Sequence, residues 1–358
     1  MSVHLIRRII LKKLVFGIIF SLIFATTVYA AGFKTVDGKK VLFNDNGEVV
    51  TGWITEDLRA AGQADGWKNA AYYAEPDGTV AVNKWLKLTV QDGGANKEYW
   101  FYFGNGGRKI FNNGDSECKE FKIGDTGYAF ANDGHMVTGW AKVKADDDNV
   151  SGWRYYRADG SRQPKGWFQV ASSDGTKGPW YYADGNGKLY SNAIKEIDKV
   201  RYLFDENGAM VTGLVVVSFD GGNSHVSSVE HIRTLNELEG AKGTGDGETK
   251  TGLYYFADDG SMQVGKHTLL IDNNEVQLYF TVNGSKMGKG FTGIQNNRNY
   301  VDGVLTGADK DAKLEIIELK NGKQALLNSN GVVYTSGVHT DGDGTKYRVK
   351  NGVVEIVD

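Results

Sequence analysis

The sequence predicts an all-β protein built as a solenoid of stacked β-hairpin repeats, and three observations predict it. An aromatic-glycine phrase recurs nine times along the chain. Glycine is 48 of 358 residues, well above the usual share of about 7%. Aromatic residues make up 12% of the chain against only three prolines, too many rings for a disordered segment. Glycines for turns and aromatics for strands together read as many short hairpins.

The phrase appears as VLFNDNG (41–47), YYAEPDG (72–78), WFYFGNGG (100–107), YAFANDG (128–134), YYRADG (155–160), YYADGNG (181–187), YLFDENG (202–208), YYFADDG (254–260) and LYFTVNG (278–284). Its final glycines step by 21 to 31 residues, except one step of 52. Such a period marks small supersecondary units rather than one core around a unique cleft. Each unit reads as a strand carrying adjacent aromatics, an Asx-Gly turn, a second strand and then Gly-Trp. Asn46-Gly47, Asp133-Gly134 and Asn207-Gly208 suit tight turns that need positive φ. The second strand is read in His135-Met136-Val137-Thr138 and Ala209-Met210-Val211-Thr212. A lone hairpin is marginal in water, so neighbours must bury each other's aromatic faces.

Four segments follow. Residues 1–30 read as a signal peptide: Arg7, Arg8, Lys12 and Lys13 precede an apolar run from Leu14 to Ala25, and Val28-Tyr29-Ala30 offers a cleavage site. The run is short for a membrane span, and an uncleaved anchor is the alternative. Residues 31–215 form a Trp-rich hairpin array, since all eight tryptophans lie between Trp53 and Trp180. Residues 216–250 read as an insertion. Ser227 and Glu230 are spaced as a capping box, and Val229, Ile232, Leu235 and Leu238 follow at helical spacing, predicting a short helix over 228–239. Residues 251–358 read as Trp-free, divergent hairpins, ending in strand-turn signals such as Tyr347-Arg348-Val349 before Asn351-Gly352.

Loss of the leader would move the formal charge from -3 to -7. A mildly acidic chain has no electrostatic reason to bind nucleic acid or anionic lipid. No later segment is apolar enough to span a bilayer, so no membrane span is expected after cleavage. The single cysteine, Cys118, cannot form an internal disulfide and reads as an incidental thiol. The six histidines are scattered, and Asp146-Asp147-Asp148 and Asp341-Gly342-Asp343-Gly344 match no spaced calcium loop. Neither metal nor cofactor is expected.

Gly134-His135-Met136-Val137-Thr138-Gly139-Trp140, Gly208-Ala209-Met210-Val211-Thr212-Gly213 and Trp180-Tyr181-Tyr182-Ala183-Asp184-Gly185-Asn186-Gly187 together resemble the cell-wall/choline-binding repeat, which is related to glucan-binding and clostridial toxin repeats. The likeness covers roughly residues 38 to 290. It implies a secreted or wall-attached protein of a Gram-positive bacterium. In choline-binding members a ligand sits between neighbouring hairpins, on the Gly-Trp tryptophan, the tryptophan of Trp-Tyr-Tyr and a tyrosine of the next repeat. Here the first position is kept at Trp53, Trp85, Trp140 and Trp167. The second is kept at Trp100 and Trp180, and elsewhere reads as Ala71, Gly127, Arg154, Arg201 and Leu253.

A quaternary ammonium has no hydrogen to donate and is held by ring faces, each contributing about 0.5–2 kcal/mol. Three rings make a usable cage. The best candidate joins Trp85, Trp100 and Tyr128; the next joins Trp167, Trp180 and Tyr202. A sugar wants a flat platform with polar groups at its edge, for which Trp140/Tyr156 and Trp53/Tyr73 are the candidates. Trp67 and Trp153, in inserted loops, could replace a missing wall. Against this, the same rings are wanted as the apolar stack between hairpins.

The functional expectation is an exported, non-catalytic protein that binds a cell-wall polymer, either choline-substituted teichoic acid or a glucan or other polysaccharide. A surface adhesin whose repeats are spacers is the second expectation. A wall-active enzyme with its catalytic residues in 216–358 is the third.

Overall fold

The aromatic-pair strand pairs backwards, with the Gly-Trp strand before it, not forwards across the Asx-Gly turn. This corrects the order expected from sequence. The computed structural model describes residues 30–112, 118–144, 152–172, 175–220, 225–242, 251–309, 311–319 and 321–357. The expected signal peptide up to Tyr29, Asp146-Asp147-Asp148 and residues 221–224 and 243–250 of the expected insertion lie outside the described residues.

Six two-stranded antiparallel ribbons come first, with a seventh after them. They are β1 (Gly32–Val36) with β2 (Lys39–Phe43), β3 (Gly52–Ile54) with β4 (Tyr72–Ala74), and β5 (Lys84–Asp92) with β6 (Ala95–Phe103). Then come β7 (Lys119–Ile123) with β8 (Thr126–Phe130), β9 (Gly139–Val143) with β10 (Gly152–Tyr156), β11 (Gly166–Ala171) with β12 (Lys177–Ala183), and β13 (Ala193–Ile197) with β14 (Val200–Phe204). Strands β15 (Gly213–Asp220), β16 (His225–His231) and β17 (Thr251–Phe256) form a three-stranded sheet, with helix α1 (Leu235–Ala241) between the last two in sequence. A five-stranded sheet joins β18 (Gly265–Ile271), β19 (Asn274–Phe280), β20 (Gly293–Gln295), β21 (Arg298–Val301) and β22 (Val304–Leu305). Two three-stranded sheets follow: β23 (Leu314–Glu318), β24 (Gln324–Asn328) and β25 (Val333–Tyr334), then β26 (Gly337–Thr340), β27 (Lys346–Lys350) and β28 (Val353–Val357). The described chain is therefore nearly all β, in small antiparallel sheets.

The recurrent turn explains the pairing. Asn44 accepts from the Gly47 amide at 3.0 Å and donates its own amide to Glu48 at 2.9 Å. Its Oδ1 also accepts from the amides of Asn46 and Glu48, the local bonding that draws Asn and Asp to turns. Beyond this three-residue turn only one bridge forms, Phe43↔Val49, and likewise Phe130↔Met136 and Phe204↔Met210. The expected second strand is thus a single rung. True two-residue hairpin loops lie elsewhere, among them Asp37-Gly38 (φ 49° and 77°), Asp198-Lys199 (φ 50° and 68°), Asp272-Asn273 (φ 49° and 59°) and Asn351-Gly352 (φ 53° and 80°), the double positive φ that matches strand twist.

That single rung carries the stacking. The residue two after the turn glycine donates its amide to the preceding ribbon. In one compact unit, formed by the described residues up to Pro164 with Gly185–Lys188, Val80 donates to Lys40, Lys109 to Ala71, Met136 to Trp100 and Arg162 to Gly127. In the other, Lys165–Asp184 with Leu189 onward, Met210 donates to Trp180 and Met262 to Arg201; after LYFTVNG the turn runs on to Gly288, and Gly290, two beyond that glycine, donates to Leu253. Core clusters sit within and between successive ribbons, for example Tyr102, Phe130 and Met136 with Trp85 and Tyr128 packed on them.

The predicted helix starts later than expected. Ser227 to Glu230 belong to β16, where Val229 pairs with Val217 and Val226 is 1% exposed. The apolar run Leu214–Val217 needs a ladder partner, and that tertiary demand overrides the local capping pattern. The helix instead begins after Thr234, whose side chain accepts from the Glu237 amide while Glu237 accepts from the Thr234 amide. Its buried Leu238 and Ala241 pack on Leu214, Val216, Leu253 and Leu278. Residues 216–250 are accordingly strand, strand and helix within a sheet, wherever they are described.

Candidate functional sites

Counting back from the turn glycine fixes what each ring does. Four residues before it the side chain is at most 1% exposed: Phe43, Ala74, Phe103, Phe130, Tyr156, Ala183, Phe204, Phe256 and Phe280. Five before it lies the residue opposite the Gly-Trp tryptophan, giving Trp53↔Tyr73, Trp85↔Tyr102, Trp140↔Tyr155 and Trp167↔Tyr182. Seven before it, on the same strand face, stand Trp100, Trp153 and Trp180, exposed by 41%, 50% and 42%.

Two ring clusters have nearly the same geometry. In the first, Trp85 lies 5.0 Å from Tyr102, 4.9 Å from Tyr128 on the next ribbon, and 5.8 Å from Phe130 in a stacked arrangement. In the second, Trp167 lies 5.1 Å from Tyr182, 4.8 Å from Tyr202 and 5.7 Å from Phe204, again stacked. Trp180 meets Trp167 edge-on at 6.5 Å. Trp100 holds the matching place in the first cluster, two residues before Tyr102 on β6 and 41% exposed. Met136 and Met210 floor the two clusters from the same rung position. Each pairing of rings at 4.8–5.8 Å is in the favourable range. A half-exposed tryptophan beside a partly buried one leaves an aromatic wall open to solvent. Burial, with Asp259 and Asp198 close by, raises the Tyr202 phenol above its usual pKa. That field suits a cation and disfavours an anion.

The sugar-platform pair Trp140/Tyr156 does not form. Tyr155, not Tyr156, lies opposite Trp140, with rings 4.9 Å apart. Adjacent strand residues face opposite ways, and Tyr156 is buried at 0% exposure. Its hydroxyl donates to Glu120 at 2.7 Å, and Glu120 also pairs with Arg162 at 2.8 Å. Burial and the Glu120 charge drive the Tyr156 phenol far above its usual pKa. The phrase YYRADG is one residue shorter than YYAEPDG, which shifts its tyrosines one place towards the turn. The same count makes Trp153, not Arg154, the counterpart of Trp100 and Trp180. Trp140, Trp153 and Tyr155 therefore share one face, with Trp140 38% exposed. Gly127 holds the equivalent place in the ribbon before, where an added Cβ would lie 2.9 Å from the Glu120 carboxylate.

Trp53 and Tyr73 do meet, at 5.0 Å, but they also pack on Phe101 and Phe103. Trp67 is 1% exposed on a 3-10 turn (Gly66–Lys68), contacts Tyr99 and Phe101, and donates its indole N–H to the Gln91 carbonyl at 2.8 Å. It is core, not an open wall. Cys118 is half-buried against Ala129, Ala141, Val143 and Tyr156.

No protein-family model matches the chain. No curated protein matches it either. Among solved structures, it is similar to choline binding protein F of Streptococcus pneumoniae at 20% identity over 93% of this chain and 100% of that one, with a TM-score of 0.41. The complex of that protein with ipratropium gives 21% and 0.42 over the same shares. CbpJ from Streptococcus pneumoniae is similar at 18% identity over 82% of this chain and 99% of that one, with a TM-score of 0.33. The modular autolysin LytC of the same organism is similar at 14% identity and a TM-score of 0.37, and this chain spans 52% of its length.

Proposed function

We propose that this chain is a non-catalytic, exported cell-wall-binding protein that holds quaternary ammonium groups in two aromatic cages. The hairpins would stack as one solenoid that presents these cages to a choline-substituted teichoic acid. The observation that carries the reading is the repetition of one ring geometry, Trp85 with Tyr102, Tyr128 and Phe130, and Trp167 with Tyr182, Tyr202 and Phe204. Trp100 and Trp180 would be the outer walls. An ammonium methyl group offers no donor, so ring faces are what it can use. Two weak cages on one polymer would add through effective concentration.

Titration of the full chain with tetramethylammonium, followed by calorimetry, should give two sites. Trp85→Ala and Trp167→Ala should each remove one. An unchanged count in both variants would sink the proposal and leave the repeats as spacers of a surface adhesin.

A second reading concerns the face of Trp140, Trp153 and Tyr155. Two flat, 38% and 50% exposed indoles with a tyrosine between them suit the apolar face of a polysaccharide. Retention on glucan that Trp153→Ala abolishes, and choline does not elute, would favour it.

A further inference from the structure

We propose that the Trp53 pocket is a cation site already filled from within, its resident cation being the side chain of Lys109. The rung position that holds Met136 and Met210 in the two cages holds Lys109 here, as the hydrogen bond from the Lys109 amide to the Ala71 carbonyl places it. Its side chain turns inward and is 2% exposed. The ammonium lies 5.4 Å from the Trp53 ring centre and 5.9 Å from that of Phe101, inside the range in which a cation is drawn to an aromatic face. It donates to the carbonyls of Trp67 at 2.6 Å, Lys68 at 3.2 Å and Asp133 at 2.8 Å. All three ammonium hydrogens thus have acceptors, which is what a buried charge requires.

Trp67 completes the enclosure. It packs on Phe101 at 5.8 Å and stands in for the tryptophan that Ala71 lacks. The pocket is therefore a variant of the two cages with a tethered primary ammonium in place of an external ligand. Its consequence for ligand capacity rests on the function proposed above: the Trp53 ribbon takes no choline. The resident cation itself does not depend on that function.

Primary and quaternary ammonium groups separate the two ideas. Lys109→Ala removes three carbons and the ammonium, the shape of 1-propylammonium. At pH 7 the thermal midpoint of Lys109→Ala should rise with added 1-propylammonium, and rise less with 1-propanol or tetramethylammonium. Equal effects of propylammonium and propanol would overturn the inference. Should Lys109→Ala not fold, the intact protein decides it. The ε-methylene signals of Lys109 should be displaced upfield by the rings and return towards ordinary values in Trp53→Leu; ordinary values in the unsubstituted chain would overturn it. Failure of tetramethylammonium to bind at Trp85 and Trp167 would remove the proposed function but leave the propylammonium result standing.

Discussion

Met136 rests on Gly160: a Cβ built on that glycine would lie 2.1 Å from the methionine sulfur. The same contact recurs at Met210 with Gly260 and at Met262 with Gly288, both at 2.2 Å. The turn glycine of one ribbon is thus the seat for the rung residue of the ribbon before it. This gives the recurrent glycine two jobs, positive φ (80° at Gly160) and close approach.

Those jobs can be separated by substitution. Gly139 has φ 77° but nothing within 4 Å of its Cβ position. Gly139→Ala should cost about 1 kcal/mol, the left-handed penalty alone. Gly160→Ala should cost roughly 2–4 kcal/mol, because overpacking adds to it. Urea midpoints of the two variants check this. Equal costs would mean that Met136 moves aside freely.

The phrase spacing and the Asx-Gly signature make the all-β repeat architecture legible in the residues themselves. The pairing partner is not legible there, because Asx-Gly marks a turn without saying how many rungs follow it. Asp198-Lys199 and Asp272-Asn273 close hairpins with no glycine to advertise them, whereas Asp37-Gly38 and Asn351-Gly352 close hairpins under the same Asx-Gly signature as the three-residue turns. The Trp85–Tyr128 and Trp167–Tyr202 contacts are legible because equal offsets from successive glycines bring those rings together. Tyr156 is misplaced by the pattern for want of one residue in its phrase. Lys109 is invisible to it, since a lysine in a rung position reads as surface until Trp67 and Asp133 are seen to supply carbonyls.

Tyr155 and Tyr156 should separate by property. Tyr156→Phe removes a buried hydrogen bond to Glu120 and should destabilise by about 1–3 kcal/mol, since a charged acceptor loses its partner. Tyr155→Ala should change the free energy of unfolding by no more than about 1 kcal/mol and lower any glucan retention that depends on Trp140 and Trp153. Reversed effects would show that the register given by Trp140↔Tyr155 is wrong in solution.

Trp53 and Trp85 occupy matching places on their strands, yet their substitution should read out differently. Trp53→Leu loses contacts with Tyr73, Phe101 and Phe103 and the ring beneath Lys109, and should cost about 2–4 kcal/mol. Its tetramethylammonium stoichiometry should not change. Trp85→Leu should lower the stoichiometry by one. Loss of a bound equivalent in Trp53→Leu, with the fold intact by circular dichroism, would show that pocket to be open to ligand.

The dependence of stability on pH should carry the signature of Lys109. Burial pushes its ammonium down from 10.5 to about 8, offset in part by the Asp133 charge. The charged groups around it are Asp133, which His135 contacts at 2.5 Å, and Lys68, which pairs with Asp92 at 3.2 Å. With the folded pKa below the unfolded one, the unfolded chain binds more protons between pH 8 and 10.5, so this residue adds stability as pH rises through that window. Below pH 8 the penalty for the buried charge is fully present. Tyrosines such as Tyr73 and Tyr99, raised in the fold by burial first, oppose the trend near the top of the window. They are shared with Lys109→Met, so the difference between the two chains isolates the lysine. That difference should move in favour of the unsubstituted chain by up to about 3 kcal/mol from pH 8 to 10.5, at about 1.4 kcal/mol per unit. Denaturant titrations at half-unit steps measure it, and parallel stability curves would show that Lys109 titrates as a solvated side chain.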